Sequence, residues 1–93
     1  MNIRFSEQAL EDTLTIYDQL EAFRNGLGER FYDAIRVDYE RIRQNPFLYQ
    51  RLGEAASKRR AILKLTNRLH YRIIFEVIGE MIEIQAIRST YQN

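Results

Sequence analysis

From Arg59 to Arg88 apolar and polar positions alternate in three runs. The first is Arg59-Arg60-Ala61-Ile62-Leu63-Lys64-Leu65, and Thr66-Asn67-Arg68 ends it. The second is Leu69-His70-Tyr71-Arg72-Ile73-Ile74-Phe75-Glu76-Val77, closed by Ile78-Gly79-Glu80. The third is Met81-Ile82-Glu83-Ile84-Gln85-Ala86-Ile87-Arg88. β-Branched and aromatic residues between short Asn- or Gly-containing breaks predict an antiparallel meander. Successive strand side chains point to opposite faces. Leu69, Tyr71, Ile73, Phe75 and Val77 therefore share one side, and His70, Arg72, Ile74 and Glu76 the other. By the same parity Ala61, Leu63 and Leu65 alternate with Arg60, Ile62 and Lys64, and Ile82, Ile84 and Ala86 alternate with Glu83 and Gln85. One face is apolar and needs a cover; the other is mixed and cationic.

The N-terminal half supplies the cover. Ile3, Arg4 and Phe5 read as a short first strand. Ser6 is placed as an N-cap without a full capping box, because Ala9 stands three residues later. Leu10, Thr13, Leu14, Tyr17, Leu20 and Phe23 recur at helical spacing, predicting a helix from Glu7 to Phe23. Asn25-Gly26-Leu27-Gly28 breaks it. No Lys-Ser or Lys-Thr follows these glycines, so they read as a turn and not as a phosphate loop. A second helix is predicted from Gly28 to Gln44, with Phe31, Ala34, Ile35, Asp38 or Tyr39, and Ile42 along its stripe. Asn45-Pro46 stops it, since proline disfavours helical geometry in the residue before it. Phe47 to Ser57 reads as a loop packing one or two aromatics under the sheet edge, and Ser89 to Asn93 as a polar tail. The fold class is α+β, a single domain over residues 1–93: an N-terminal helical hairpin on one face of a small antiparallel sheet.

Composition narrows the chemistry. There is no cysteine, hence no disulfide or thiolate zinc site, and one histidine cannot build a multi-histidine metal site. No metal and no cofactor is expected. No apolar run approaches the roughly 18–20 residues of a membrane span, and the N-terminus has no signal-peptide core; the expectation is a cytoplasmic protein without a membrane partner. Net charge is only +1, but its distribution is uneven. Between Ser57 and Arg72 stand six basic residues and no acid: Lys58, Arg59, Arg60, Lys64, Arg68 and Arg72. The sheet is locally basic and suits an anionic partner.

The mixed face and the tail bring together Arg60, Lys64, His70, Arg72, Arg88 and Tyr91. Metal-free RNA cleavage needs a base for the 2′-hydroxyl, an acid for the leaving oxygen and cations for the developing phosphorane charge. Arg72 and Arg88 are candidates for the cations, and Tyr91, His70 or Lys64 for the proton transfers. Each of these residue types is more often simply solvated on an open sheet face, where lysine and arginine also discourage edge pairing. Paired carboxylates at strand ends, as a metal-dependent nuclease would need, are missing.

The ordered set of elements resembles the RelE/ParE superfamily of bacterial type II toxins over nearly the full length. The residues that carry the likeness are Ile3-Arg4-Phe5-Ser6 with Ala9 and Leu10; Ile16-Tyr17; Arg30-Phe31; Asn45-Pro46; Arg60-Ala61-Ile62-Leu63; His70 to Val77; and Ile84-Gln85-Ala86-Ile87-Arg88. The resemblance implies a toxin that arrests growth and is neutralised by a cognate antitoxin. The long helical hairpin and the low net charge are similar to ParE-like members, which act on DNA gyrase without chemistry of their own. Tyr71-Arg72-Ile73-Ile74-Phe75 is similar to the RelE strand that carries a catalytic arginine. The alternative it implies is a ribosome-dependent endoribonuclease cutting mRNA, with Arg60, Arg72, Arg88 and Tyr91 as its catalytic set. Here Arg88 and Tyr91 are closer together than in the RelE pattern, and a lysine-rich helix is missing. Toxins of this fold resemble one another in being wrapped by an extended antitoxin segment. That places antitoxin contacts at Lys58, Arg59, Arg60 and Lys64, facing acidic residues of the partner.

Overall fold

The computed structural model describes residues 1–53 and 57–90. β1 (Asn2–Phe5) leads into α1 (Glu7–Phe23) and α2 (Leu27–Gln44); a 3-10 turn (Pro46–Leu48) and β2 (Gln50–Arg51) precede β3 (Lys58–Lys64), β4 (His70–Ile78) and β5 (Met81–Ser89). The sheet order is β1-β5-β4-β3-β2. The meander β3-β4-β5 is antiparallel throughout, as alternation predicts. The complete sheet is mixed, because β1 pairs parallel to β5, Asn2 to Phe5 lying beside Met81 to Ile84. A four-residue opening strand carries no sequence signal for its neighbour; the pairing is settled when α1 lies down on the sheet.

Ser6 joins these layers. Its hydroxyl oxygen accepts from Ala9 N–H at the start of α1 (3.0 Å) and its hydroxyl donates to the Gln85 carbonyl (3.0 Å), while its own N–H donates to Ile84 O. The helix start is thereby capped and fastened to β5. The buried stripe of α1 is Ala9, Ile16 and Leu20. Leu10, Leu14 and Phe23, expected on that stripe, are 53%, 59% and 73% exposed. Two apolar stripes coexist on α1, and the one bearing the small Ala9 lets the helix lie closest to the sheet. α2 buries Leu27, Phe31, Ile35 and Ile42 largely as expected.

Between the helices Gly26 adopts φ +88°. The Glu21 carboxylate accepts from Gly26 N–H (3.2 Å) and Gly28 N–H (2.8 Å), capping the otherwise unpaired donors of α2. Tyr17 stacks on Tyr32 with centroids 4.4 Å apart and donates its hydroxyl to Glu29 (2.8 Å). Gly28 sits under this lock with no room for a Cβ.

The core lies between the hairpin and the inward sheet face, with Phe31, Leu63, Ile73, Phe75, Ile82, Ile84 and Ile87 all but fully buried. A β-bulge shifts the register of β5. Phe75 pairs with Ile84 but Ile74 pairs with Ala86, leaving Gln85 as the extra residue. Simple alternation puts Ala86 on the core face. The bulge reverses parity after Ile84: Ile87 opposes Ile73 and enters the core, and Ala86 opposes Ile74 on the other side. In the predicted 47–57 loop, Tyr49 packs edge-on against Phe75 (5.7 Å, 84°) as expected of one aromatic; residues 54–56 lie outside the described residues.

Candidate functional site

The sheet face away from the helices is built in rows by the strand register. Lys64 lies beside His70; Ile62, Arg72 and Arg88 form the next row; Arg60, Ile74 and Ala86 the next; and Lys58 with Glu76 the last. Facing side chains in such rows stand about 5 Å apart at Cβ. The bulge is what brings Arg88 here: without it, parity would turn Arg88 to the core side together with Ile82 and Ile84. Arg60, Lys64, Arg72 and Arg88 thus share a face with Ile62, which is 42% exposed.

The four cations are held differently. Arg60 donates to the Gln50 side chain (2.8 Å). Arg72 lies half-buried in the sheet centre, with its Nε shielded from water and lacking an acceptor. Arg88 crosses the outer edge of β5 and donates from Nη1 to both oxygens of Asp12 on α1, at 3.2 and 3.1 Å. Asp12 Oδ2 also accepts from Ile87 N–H (2.9 Å), because β1 ends at Phe5 and leaves the outer edge of β5 here without a strand neighbour. A groove of about 550 Å³ runs between α1 and this edge, past Ile16, Leu20, Tyr71 and Arg88. Lys64 extends into solvent.

Of the antitoxin contacts predicted from sequence, Lys58, Arg60 and Lys64 share the open face. Arg59 opposes Phe75 and belongs to the other side. Its Nη1 donates to Tyr49 O (2.7 Å) and Phe47 O (3.4 Å), and its guanidinium lies 5.3 Å from the Phe47 ring centroid. Arg59 therefore ties the 3-10 turn to β3. Tyr91 lies outside the described residues. The proton-transfer candidate His70 is half-buried at the start of β4, its carbonyl accepting from Thr90.

At the opposite end of the face charge is balanced. Glu76 accepts from the Ser57 hydroxyl and from Gln85 Nε2 (3.0 Å), and Arg4 pairs with Glu83 (3.1 Å). The Ser57 hydrogen bond, then that of Gln85, holds the Glu76 carboxyl below its ordinary range, with Lys58 adding a smaller attraction. Burial pushes the Tyr71 hydroxyl up, so it holds its proton. Among the described residues no three His, Asp or Glu side chains cluster as metal ligands, and no helix is long and apolar enough to cross a membrane. What the face offers chemically is cationic, partly apolar contact area.

Sequence reasoning missed Asp12 as the acceptor that engages Arg88 and Gln50 as the partner of Arg60. Neither pairing, 76 and 10 residues apart, has a local signal.

The fold has solved counterparts. The chromosomal ParDE toxin–antitoxin system from P. aeruginosa contains a chain that superposes with a TM-score of 0.80, at 21% identity, over 96% of this chain and 95% of that one. The YoeB dimer from Staphylococcus aureus gives 0.52 at 18% identity over 98% of both chains. The YoeB/ParE toxin from Agrobacterium tumefaciens gives 0.50 at 18% identity, over 98% of this chain and 100% of that one. Among curated proteins none matches the sequence. The family model described as the ParE toxin of the type II toxin–antitoxin system parDE matches residues 3–93. With that match spanning all but the first two residues, the chain belongs to the ParE toxin family of type II toxin–antitoxin systems.

Proposed function

We propose that the protein arrests growth in the cytoplasm by binding DNA gyrase, without covalent chemistry of its own, and that a cognate antitoxin silences it. The observation that carries this reading is the Arg88–Asp12 pair. Stabilising a phosphorane takes cations free to converge on one phosphate. Arg88 is engaged by a carboxylate, and Arg72 beside it has its Nε shielded in the sheet. The face therefore suits docking better than phosphoryl chemistry. Membership of the ParE family and the long hairpin support the same reading. Purified toxin in molar excess should block gyrase supercoiling or trap cleaved DNA; gyrase that supercoils normally under that excess refutes it.

The antitoxin is proposed to lay an acidic, extended segment along Lys58, Arg60 and Lys64; among the described residues Arg60 and Lys64 form no ion pair, and Lys58 has Glu76 beside it. Such segments order on binding and cover basic surface. A second reading, a ribosome-dependent endoribonuclease of the RelE kind, draws on Arg60, Arg72 and Arg88 in adjacent rows, with Tyr91 following. Primer extension on translated mRNA separates the two: cuts that vanish in Arg72→Ala establish the nuclease.

A further inference from the structure

The two outer edges of the sheet are finished differently. Past the end of β1 the edge of β5 is occupied by the protein itself. The Ser6 N–H and hydroxyl donate to Ile84 O and Gln85 O (both 3.0 Å), and Asp12 accepts from Ile87 N–H (2.9 Å). At the other edge β2 covers only part of β3. Along an antiparallel strand the backbone groups of successive residues face alternate neighbours. Leu65 N–H donates to Leu69 O (2.9 Å), so Leu65, Leu63 and Ala61 face β4, and Lys58, Arg60, Ile62 and Lys64 face outward. Leu52 N–H reaches Lys58 O (2.9 Å) and Gln50 lies beside Arg60, and there β2 ends. Among the described residues no group hydrogen-bonds the outward N–H or C=O of Ile62 or Lys64. Such a row of unused donors and acceptors is a template for one more strand.

The walls define what fits there. A groove of about 380 Å³ runs along this edge against the flank of α2, lined by Ala34, Val37, Asp38, Arg41, Ile62 and Lys64. Val37 and Ile62 are 52% and 42% exposed and form an apolar seat. Asp38, the acid in this lining, is only 16% exposed and faces Arg41 (3.9 Å). Lys64 and, one outward position along, Arg60 have no acidic partner among the described residues. Bare backbone groups at a two-residue repeat take an extended peptide, and the cations beside them select acids on it. A second copy of this chain fits less well, because its edge carries the same Arg60 and Lys64 and like charges across a ladder repel. We propose that the antitoxin segment binds as a strand added to β3 in line with β2. Its backbone pairs with Ile62 and Lys64, an apolar side chain sits between Val37 and Ile62, and acids lie beside Arg60 and Lys64. The inference rests on the reading of the protein as an antitoxin-controlled toxin, and it adds a backbone ladder that charge attraction alone does not require.

The test follows amide hydrogen exchange by NMR in the full chain, free and bound to the protein encoded by the reading frame adjacent to its gene. In the free chain the amides of Ile62 and Lys64 should exchange quickly, unlike Leu63, whose N–H faces β4. In the complex both should slow at least about hundredfold. Ile62→Pro removes one outward donor and leaves the β4 ladder intact, as an edge strand allows. It should weaken binding at least about tenfold by calorimetry, and Ile62→Ala, which keeps the N–H, should weaken it less. Val37→Glu, on an exposed helix flank, should also weaken binding about tenfold, with an unchanged thermal midpoint. If the proline variant does not fold, exchange in the wild type and binding by Val37→Glu decide. A complex in which Ile62 and Lys64 exchange as fast as before overturns the added strand and leaves the antitoxin reading standing. Wild-type affinity in both Val37→Glu and a folded Ile62→Pro does the same. Protection that appears in the free chain and rises with its concentration makes a second copy the occupant and overturns the proposal. So does protection conferred by gyrase and not by the adjacent gene product. A chain that neither binds that product nor is silenced by it overturns the antitoxin reading and the strand together.

Discussion

Asp12→Ala removes three acceptor contacts that hold the open end of β5 to α1. The carboxylate is only 11% exposed; it accepts from Ile87 N–H at 2.9 Å and from Arg88 at 3.1 and 3.2 Å. A part-buried hydrogen bond to a charged acceptor contributes about 1.5–3 kcal/mol. The Arg88 side chain is 49% exposed, and a pair so open to water adds only ~0–1 kcal/mol. The substitution should therefore cost about 2–3 kcal/mol, a fall in thermal midpoint of roughly 10–20 °C for a domain of this size. Asp12→Asn keeps an oxygen for Ile87 N–H and should lose about half as much, whereas Arg88→Ala should lose less than about 1 kcal/mol. Urea unfolding of the two single variants and the double variant measures the coupling directly. Asp12→Ala within about 0.5 kcal/mol of wild type, or Arg88→Ala costing as much as Asp12→Ala, would refute the assignment of the energy to the Ile87 bond. The same variant bears on function: it releases Arg88, and on the gyrase reading no mRNA cleavage should appear when it does.

Gly28→Ala places a Cβ 2.7 Å from Glu21 Cγ and 2.8–2.9 Å from the Tyr17 ring. It should destabilise by roughly 1–3 kcal/mol, read by denaturant midpoint; an unchanged midpoint would show that the hairpin lock yields freely. Glu76 has a folded-state value below the ordinary 4.5. Its stabilising contribution is whole above that value and is lost as pH falls through the depressed one. The gap in thermal midpoint between wild type and Glu76→Gln should thus close on acidification; a gap that widens contradicts the hydrogen bonds assigned to the ionised form. Charge reversal at Lys58 or Arg60 should weaken antitoxin binding and flatten its salt dependence by titration calorimetry. Arg59→Glu should instead lower the thermal midpoint, because Arg59 is spent on the carbonyls of Phe47 and Tyr49.

The cationic face was readable for a physical reason: side-chain parity on β3 and β4 assigns Arg60, Lys64 and Arg72 without any tertiary information. Parity also sets Arg59 apart, but its clamp on the 3-10 turn depends on how the chain returns after Pro46. Leu10, Leu14 and Phe23 matched the helical period as well as Ala9, Ile16 and Leu20 do, and only packing on the sheet chose between the two stripes. The exposure of Phe47 and Leu48 after α2 also has a sequence signal. Phe47-Leu48-Tyr49 follows a proline stop in one short turn, and a single turn cannot bury three consecutive large side chains against one surface.

Hydrophobic periodicity and the breaks at Gly26, Gly28, Pro46 and Gly79 determine the elements, because local backbone preference and side-chain direction are properties of short stretches. They dictate a helical hairpin, a three-strand meander and which meander face is greasy. Long-range geometry decided the rest. The parallel seat of β1, the bulge that sends Ile87 inward and Arg88 outward, and the Asp12 carboxylate that meets Arg88 all join groups more than 70 residues apart, or hinge on one extra residue in a ladder. Such choices are made by the packed whole, where burial and hydrogen-bond satisfaction are shared across elements and no single segment carries the outcome.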